Sequence, residues 1–196
     1  VIIATQILQS MIENPRPTRA EISDAANAIF DHCDALMLSG ETATGKYPLE
    51  AAKTLAKVAE SVEGDLKKHG GYIANRLFSN DMPAVFGTCF NGVKLALDIG
   101  AKLIVTITHS GFTAEQTAKH RSAVPIVVIT ENEKVRRFLA LVWGINNILI
   151  AKIDMQNLGL QVRKLLIKNK LGAPGDKIVI ISNASAEEKL ISAIKI

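Results

Sequence analysis

Short apolar segments alternate with amphipathic segments along the chain, and this alternation restricts the possible folds more than any other feature. In the second half the apolar segments are continuous runs rich in Val, Ile and Leu, which favours buried parallel strands. The pattern predicts strands over Leu103–Ile107, Ile126–Ile129, Asn147–Ala151, Lys177–Ile181 and Leu190–Ile196, with helices over 83–99, 113–120, 133–141 and 158–170. Alternating strands and helices form right-handed βαβ units, so we expect an α/β fold.

The expected fold of this half is a three-layer domain with a mostly parallel five-stranded sheet. Its last strand follows a short connection that has no room for a crossover helix, so we expect that strand to be antiparallel. The sequence His69-Gly70-Gly71 interrupts the periodicity, and polar residues follow it. We therefore predict one domain over residues 1–69, a linker over 70–82 and a second domain over 83–196.

The stretch from Asn14 to Leu49 carries the most polar pattern of the first domain. Two prolines fix an extended turn, and Ser23 and Asp24 follow as predicted caps of a helix over about 23–32. A strand is predicted over Ala35–Leu38, and Pro48 is placed to begin the next helix. The first strand is predicted over Val1–Ala4, with a helix over 6–13. Polar residues therefore gather where strands end, which is where α/β folds place their chemistry.

This stretch resembles the pyruvate kinase family over a long set of residues at the family's spacing. The matching residues are Thr5-Gln6, Met11, Pro15–Glu21, Asp24, Ala26–Ala28, Met37–Ala43, Gly45, Tyr47-Pro48 and Glu50-Ala51. The resemblance implies the last two strand–helix units of a (β/α)₈ TIM barrel, followed by the C-terminal α/β domain that serves regulation and assembly. The chain begins without Met and inside a predicted strand, so we expect a segment of a longer protein.

The resemblance also implies the parent enzyme's activity and partners. The family transfers a phosphoryl group from phosphoenolpyruvate to ADP in glycolysis, which gives pyruvate and ATP. It is expected to be a cytoplasmic, allosteric homotetramer that uses Mg²⁺ and K⁺, whose ligands the family draws from strands preceding Val1. The isolated chain is therefore expected to be inactive. The alternative interpretation is a module that binds a phosphorylated effector and contributes to oligomerisation without catalysis of its own.

Three residues at the strand ends are the candidates for the active site. Thr5 follows the first strand, and from the residues alone it is a good N-cap for the next helix. The resemblance implies instead that Thr5 binds the carboxylate of phosphoenolpyruvate or pyruvate. Ser39 and Glu41 follow the second strand, where small polar residues usually only form the turn. The resemblance implies that this corner borders the active site and helps to deliver a proton, so both are predicted to be catalytic.

Two further groups of residues are assigned by the resemblance. Arg16 and Arg19 are predicted at a subunit interface, although exposed arginines are common, and Glu21 is placed to pair with either.

The loop Thr108-His109-Ser110-Gly111-Phe112-Thr113 reads as an ordinary βα turn from its pattern alone. The resemblance implies that it binds the phosphate of a sugar-phosphate effector through backbone N–H and hydroxyl groups. Glu187 and Glu188 stand where a second phosphate would be bound, so we expect a single-phosphate effector or none.

The composition excludes several other classes of protein. No apolar run approaches the roughly 20 residues that a membrane-spanning helix needs. Cys33 and Cys89 are predicted to be buried free thiols, and the four dispersed histidines predict no metal site. The net charge is +4, but the basic residues are scattered rather than grouped, which argues against nucleic acid as a partner. No GxGxxG sequence follows a predicted strand, which argues against a dinucleotide-binding domain.

Overall fold

The computed structural model describes residues 1–68, 83–183 and 189–196. The chain divides into two units, Val1–Gly71 and Tyr72–Ile196. The predicted linker at residues 70–82 lies outside the described residues, as do Glu187 and Glu188. The domain boundaries given by the sequence therefore stay a prediction.

The first unit is built on two short parallel strands. Strand β1 (Ile2–Ala4) pairs with β2 (Ala35–Met37), and Ala4 lies opposite Met37. A 3-10 helix (Gln9–Ile12) and helix α1 (Arg19–Phe30) connect the strands. Helices α2 (Gly40–Ala43) and α3 (Pro48–Lys68) follow β2. Two strand–helix units are thus present as expected, and parallel pairing places the carboxyl ends of both strands at the same edge.

Helix α1 begins earlier than the sequence interpretation placed it. Its N-cap is Thr18, whose hydroxyl accepts a hydrogen bond from the Glu21 N–H group at 3.3 Å. The Glu21 carboxylate in turn accepts from the Thr18 N–H group at 2.7 Å, which completes a capping box. The prediction that Ser23 and Asp24 cap this helix is therefore wrong, because the reciprocal Thr18–Glu21 pair already closes the helix end five residues earlier.

The segment after β1 forms a short 3-10 helix instead of the longer helix predicted over 6–13. Thr5 and Gln6 both have positive φ angles, 70° and 56°, so the chain turns before any helix can begin. The N-cap position of the 3-10 helix is Leu8, which excludes Thr5 as its cap. Leu8 and Met11 are fully buried against Ala25 and Ala51 of the following helices.

The second unit is a five-stranded sheet with strand order β5-β4-β3-β6-β7. Helix α4 (Ala84–Asp98) precedes the sheet. The elements that follow are β3 (Leu103–Ile107), α5 (Phe112–Ala118), β4 (Ile126–Thr130), α6 (Glu133–Leu139), β5 (Ile145–Ile150), a 3-10 helix (Met155–Asn157), α7 (Leu158–Lys168), β6 (Lys177–Asn183) and β7 (Lys189–Lys195). All neighbouring strands are parallel except β6 and β7, which are antiparallel. The predicted α/β fold and its antiparallel last strand are confirmed.

Alternate residues of the central strands face opposite layers of helices. On one face Ile104 and Val179 pack with Cys89 of α4 and Leu139 of α6. On the other face residues of β3, β4 and β6 pack with Val162 and Leu166 of α7. Each fully buried side chain of this kind contributes about 1.5–3 kcal/mol relative to exposure, so both cores stabilise the sheet. The sheet is thus the middle of three layers.

Candidate functional site

Thr5 and Ser39 lie at one edge of the two-stranded sheet. Thr5 directly follows β1, Ser39 comes two residues after β2, and the two strands run parallel with Ala4 opposite Met37. Thr5 is exposed and Ser39 is partly buried. The Ser39 side chain makes no capping hydrogen bond to the helix that it precedes. The two residues therefore follow the carboxyl ends of neighbouring parallel strands, and their roles in a substrate site stay a prediction.

The backbone at Thr5 is in an unusual conformation. A φ angle of 70° is rare for a β-branched residue, and Gln6 adopts the same left-handed region directly after it. Such conformations cost about 1–3 kcal/mol each and persist only where the surrounding structure fixes them, most often at functional sites. No glycine or asparagine marks this turn, so the sequence offered no signal for it.

The Glu41 carboxylate is buried, with 1% of the residue exposed. Its Oε1 atom accepts a hydrogen bond from the Leu8 N–H group at 3.0 Å, and Oε2 accepts from the Ser39 N–H group at 2.9 Å. Burial raises the pKa of this carboxyl, but hydrogen bonds from the N–H groups of Glu41, Leu8 and Ser39 outweigh burial and hold the pKa below its ordinary value. Glu41 is therefore an ionised hydrogen-bond acceptor near neutral pH.

A second carboxylate connects the 3-10 helix to the start of helix α1. Glu21 accepts from the Ser10 N–H group at 2.7 Å and from the Ser10 hydroxyl at 2.5 Å, in addition to its bonds to Thr18. Desolvation raises the pKa of Glu21, and these hydrogen bonds lower it to a net value below the ordinary one. Glu21 thus bonds to Ser10 and Thr18, and Arg16 and Arg19 are exposed. The interface role of the two arginines stays a prediction.

The loop that was predicted to bind a phosphate folds back on itself through its own hydroxyl groups. The Thr108 hydroxyl accepts from the Gly111 N–H group at 3.0 Å, and the Ser110 hydroxyl accepts from the Phe112 N–H group at 3.4 Å. Gly111 has a φ of 89°, which a glycine adopts without strain. His109, Ser110 and Phe112 are exposed, whereas Thr108, Gly111 and Thr113 are buried. An anion here would compete with the loop's own hydroxyls for these N–H groups.

A cavity of about 160 Å³ lies beside this loop, at the carboxyl ends of β3 and β4. Thr108 and His109 contribute one side of it, and Glu131 contributes an acidic group. The remaining lining residues are Ile107, Ile129, Thr130, Ala151, Ile153 and Met155. The negative charge of Glu131 repels anionic groups of a ligand in this cavity. The cavity therefore suits a ligand that carries few such groups.

The described residues hold no group of three or more His, Cys, Asp or Glu side chains placed to bind a metal ion. Within those same residues, no helix combines the length and the apolar character that crossing a membrane requires. Cys33 and Cys89 are both buried, as predicted. The Cys89 thiol donates to the Thr113 carbonyl at 3.7 Å, which connects α4 to the end of the loop.

Two family models match the chain in succession. The model described as the pyruvate kinase barrel domain matches residues 1–52, and the model described as the pyruvate kinase alpha/beta domain matches residues 88–196. The first match contains Thr5, Ser39 and Glu41, and the second contains the whole loop from Thr108 to Thr113. The second match alone covers more than half of the chain.

Curated relatives carry the same family name. A pyruvate kinase of Clostridium acetobutylicum is 46% identical over 156 residues, which cover 78% of this chain and 32% of the relative. A pyruvate kinase of Thermotoga maritima is 41% identical over 199 residues, which cover 100% of this chain and 41% of the relative. The chain thus spans about a third to two fifths of the length of the curated relatives it matches.

Solved structures give the same result. A pyruvate kinase from Cryptosporidium parvum matches with a TM-score of 0.80 and 30% identity, over 100% of this chain and 39% of that structure. The Cryptosporidium parvum enzyme in complex with ADP matches with a TM-score of 0.75 and 29% identity, over 100% of this chain and 40% of that structure. On the family models, the relatives and the fold together, this chain belongs to the pyruvate kinase family.

Proposed function

We propose that this chain is the C-terminal part of a pyruvate kinase, which transfers the phosphoryl group of phosphoenolpyruvate to ADP and yields pyruvate and ATP. The observation that carries the proposal is the common edge shared by Thr5 and Ser39 after two parallel strands, inside the segment that matches the barrel domain. A relative of the same fold is solved in complex with ADP, which supports a nucleotide as the second substrate.

Within this proposal Thr5 and Ser39 have separate roles. Thr5 offers an exposed hydroxyl in a turn that is held in one conformation, which suits a hydrogen bond to the carboxylate of a three-carbon acid. Ser39 offers a hydroxyl that its own helix does not use, and this group can pass a proton through water to the enolate carbon. Mg²⁺ and K⁺ would supply charge neutralisation in phosphoryl transfer, and no residue of this chain is proposed as a ligand of either ion.

The chain alone should not transfer phosphate, because phosphoryl transfer needs a metal clamp and the family is expected to draw its Mg²⁺ and K⁺ ligands from other strands of the barrel. We expect no pyruvate release above background in an assay coupled to lactate dehydrogenase. A chimera in which this chain replaces the matching segment of the Thermotoga maritima relative should be active. Normal turnover by the chain alone would contradict the proposal, and so would a folded chimera without activity.

The chimera also tests Thr5 directly. Thr5→Ala should lower kcat/KM by about 10²-fold, the order of the loss when one oriented hydrogen-bond donor is removed from an active site. Thr54→Ala is the matched control, because it removes the same hydroxyl from helix α3. Equal activities of the two variants would exclude Thr5 from the substrate site.

A second function is favoured by the cavity beside the loop Thr108–Thr113. We propose that the second unit binds a singly phosphorylated effector there, with the phosphate accepting from the loop's backbone N–H groups and from its hydroxyls, which give up their present bonds to those N–H groups and donate to the phosphate. A sugar monophosphate should raise the melting temperature of the chain, and Ser110→Ala with Thr113→Ala should abolish that rise. Ser122→Ala is the control, because its hydroxyl also accepts from a backbone N–H group two residues later. An undiminished rise in the double variant would exclude the loop.

The assembly of the parent enzyme completes the proposal. We place Arg16 and Arg19 at a contact between subunits of a cytoplasmic homotetramer, because both are exposed beside a rigid proline turn and can form bidentate bonds to carboxylates. Replacement of both by Glu in the active chimera should shift its sedimentation toward smaller species. A tetramer that is unaffected by this change would place the contact elsewhere.

A further inference from the structure

The buried Glu41 carboxylate joins two turns that are separated by 33 residues in sequence. One oxygen holds the Leu8 N–H group, three residues after Thr5, and the other holds the N–H group of Ser39 itself. These two turns carry the hydroxyl groups that are assigned to the substrate and to proton delivery. The carboxylate therefore connects the two turns that carry the proposed functional groups.

The turn after β1 needs such an anchor because it is strained. Thr5 and Gln6 both occupy the left-handed region, and that conformation relaxes unless the following residues are fixed. Leu8 is fully buried, and its N–H group is bonded to Glu41. The Lys46 N–H group also donates to the Ile12 carbonyl at 2.8 Å, so the far end of the 3-10 helix is tied to the segment after α2. Of these two ties, the one made by Glu41 lies nearer to Thr5 in sequence.

The chemistry of the carboxylate suits a clamp more than a proton donor. Both oxygens accept from backbone N–H groups, and an ionised carboxylate has no proton to give. The lowered pKa keeps Glu41 ionised, although the nearby charge of Glu21 opposes this. A glutamine at this position would keep one acceptor oxygen but would turn an amide NH₂ group toward a backbone donor. The clamp therefore requires a carboxylate.

We propose that Glu41 is a positioning residue that ties the turn after β1 to the turn after β2 and thereby sets the spacing between the Thr5 and Ser39 hydroxyls. Its catalytic consequence rests on the proposed function, whereas its structural part does not. Both parts are open to experiment, the first in the chain itself and the second in the active chimera.

Amide hydrogen exchange of the full chain tests the structural part. The Leu8 and Ser39 amides should be protected in the unmodified chain and should lose at least about tenfold of that protection in Glu41→Gln, because each owes its bond to this carboxylate. Glu21→Gln is the matched control, because the hydrogen bonds of the Glu21 carboxylate go to Ser10 and Thr18 rather than to Leu8 or Ser39. Unprotected Leu8 and Ser39 amides in the unmodified chain would overturn the clamp, and this result does not depend on whether the variant folds. Unchanged protection of the two amides in Glu41→Gln would also overturn it.

Kinetics of the chimera test the catalytic part. Glu41→Gln should lower kcat by about 10²-fold, the loss expected from a misplacement of about 1 Å, while the pH profile keeps its shape. Glu21→Gln should lower stability and leave kcat unchanged. Loss of one limb of the pH profile in Glu41→Gln would instead make Glu41 the proton donor and overturn the positioning role. If the Leu8 and Ser39 amides are protected but the unmodified chimera is inactive, the proposed function is refuted and the clamp is not. If the chimera is active and Glu41→Gln leaves its kcat unchanged, only the positioning role of Glu41 is refuted.

Discussion

Two glycines of helix α4 should respond differently to the same substitution. A Cβ atom added at Gly92 would lie 2.5 Å from Cδ1 and 2.7 Å from Cγ1 of Ile181, whereas one added at Gly87 meets nothing within 4 Å. Carbon atoms in contact prefer separations of about 3.5–4.0 Å, and Ile181 is fully buried, so it has little room to move. Gly92→Ala therefore forces a repacking of α4 against β6.

The magnitude follows from two opposing effects. Replacing Gly by Ala inside a helix stabilises by about 0.8–1 kcal/mol, and this gain applies equally to both positions. Overpacking of a closely packed core costs about 1–3 kcal/mol and applies only at Gly92. We therefore expect Gly87→Ala to stabilise the second unit and Gly92→Ala to be less stable than Gly87→Ala by about 1–3 kcal/mol.

Urea unfolding followed by tryptophan fluorescence measures this difference, because the single tryptophan, Trp143, lies in the second unit. Ile181→Val removes Cδ1, the atom nearest to the added Cβ. In the Ile181→Val background, Gly92→Ala should therefore lower the free energy of unfolding by at least about 0.5 kcal/mol less than it does in the unmodified chain. Equal stabilities of the two alanine variants, or additive effects of Gly92→Ala and Ile181→Val, would refute the packing argument.

Further predictions concern the first unit and the tryptophan. Thr18→Ala should destabilise by about 0.5–2 kcal/mol through loss of the α1 cap, as measured by circular dichroism during urea unfolding. Glu21 and Glu41 both have lowered pKa values in the folded chain, so their stabilisation is complete above the ordinary value of 4.5 and is lost as the pH falls below it. Urea midpoints should be level above pH 4.5 and should then fall less steeply with decreasing pH in Glu21→Gln than in the unmodified chain. Arg121→Gln should change the fluorescence of Trp143, because the guanidinium lies 4.7 Å from the centre of that ring.

The second unit was largely predictable because its strands are continuous apolar runs. Such runs favour the middle of a sheet that is covered on both faces, as in Leu103–Ile107 and Lys177–Ile181. The short connection after β6 indicated that the last strand is antiparallel. The ends of the strands were harder to predict than their existence. Strand β5 begins at Ile145, two residues before its predicted start.

The first unit shows what local patterns do not reveal. The spacing Thr18-x-x-Glu21 is a capping signature, but Ser23 and Asp24 offered caps of equal quality by residue type alone. The left-handed turn at Thr5 lacks the glycine that usually marks one. The contact between Glu41 and Leu8 joins residues 33 apart, so only the folded arrangement of both strand ends reveals it.

The strand order has a consequence for synthesis on the ribosome. Strand β3 must wait for β6, which lies more than seventy residues later, before its second edge is paired. Until then a nascent chain presents an apolar open edge to its surroundings, where pairing with another polypeptide competes with correct closure. Strand β3 is therefore protected from such pairing only after β6 has been synthesised. The sheet cannot be completed strand by strand in the order in which the chain leaves the ribosome.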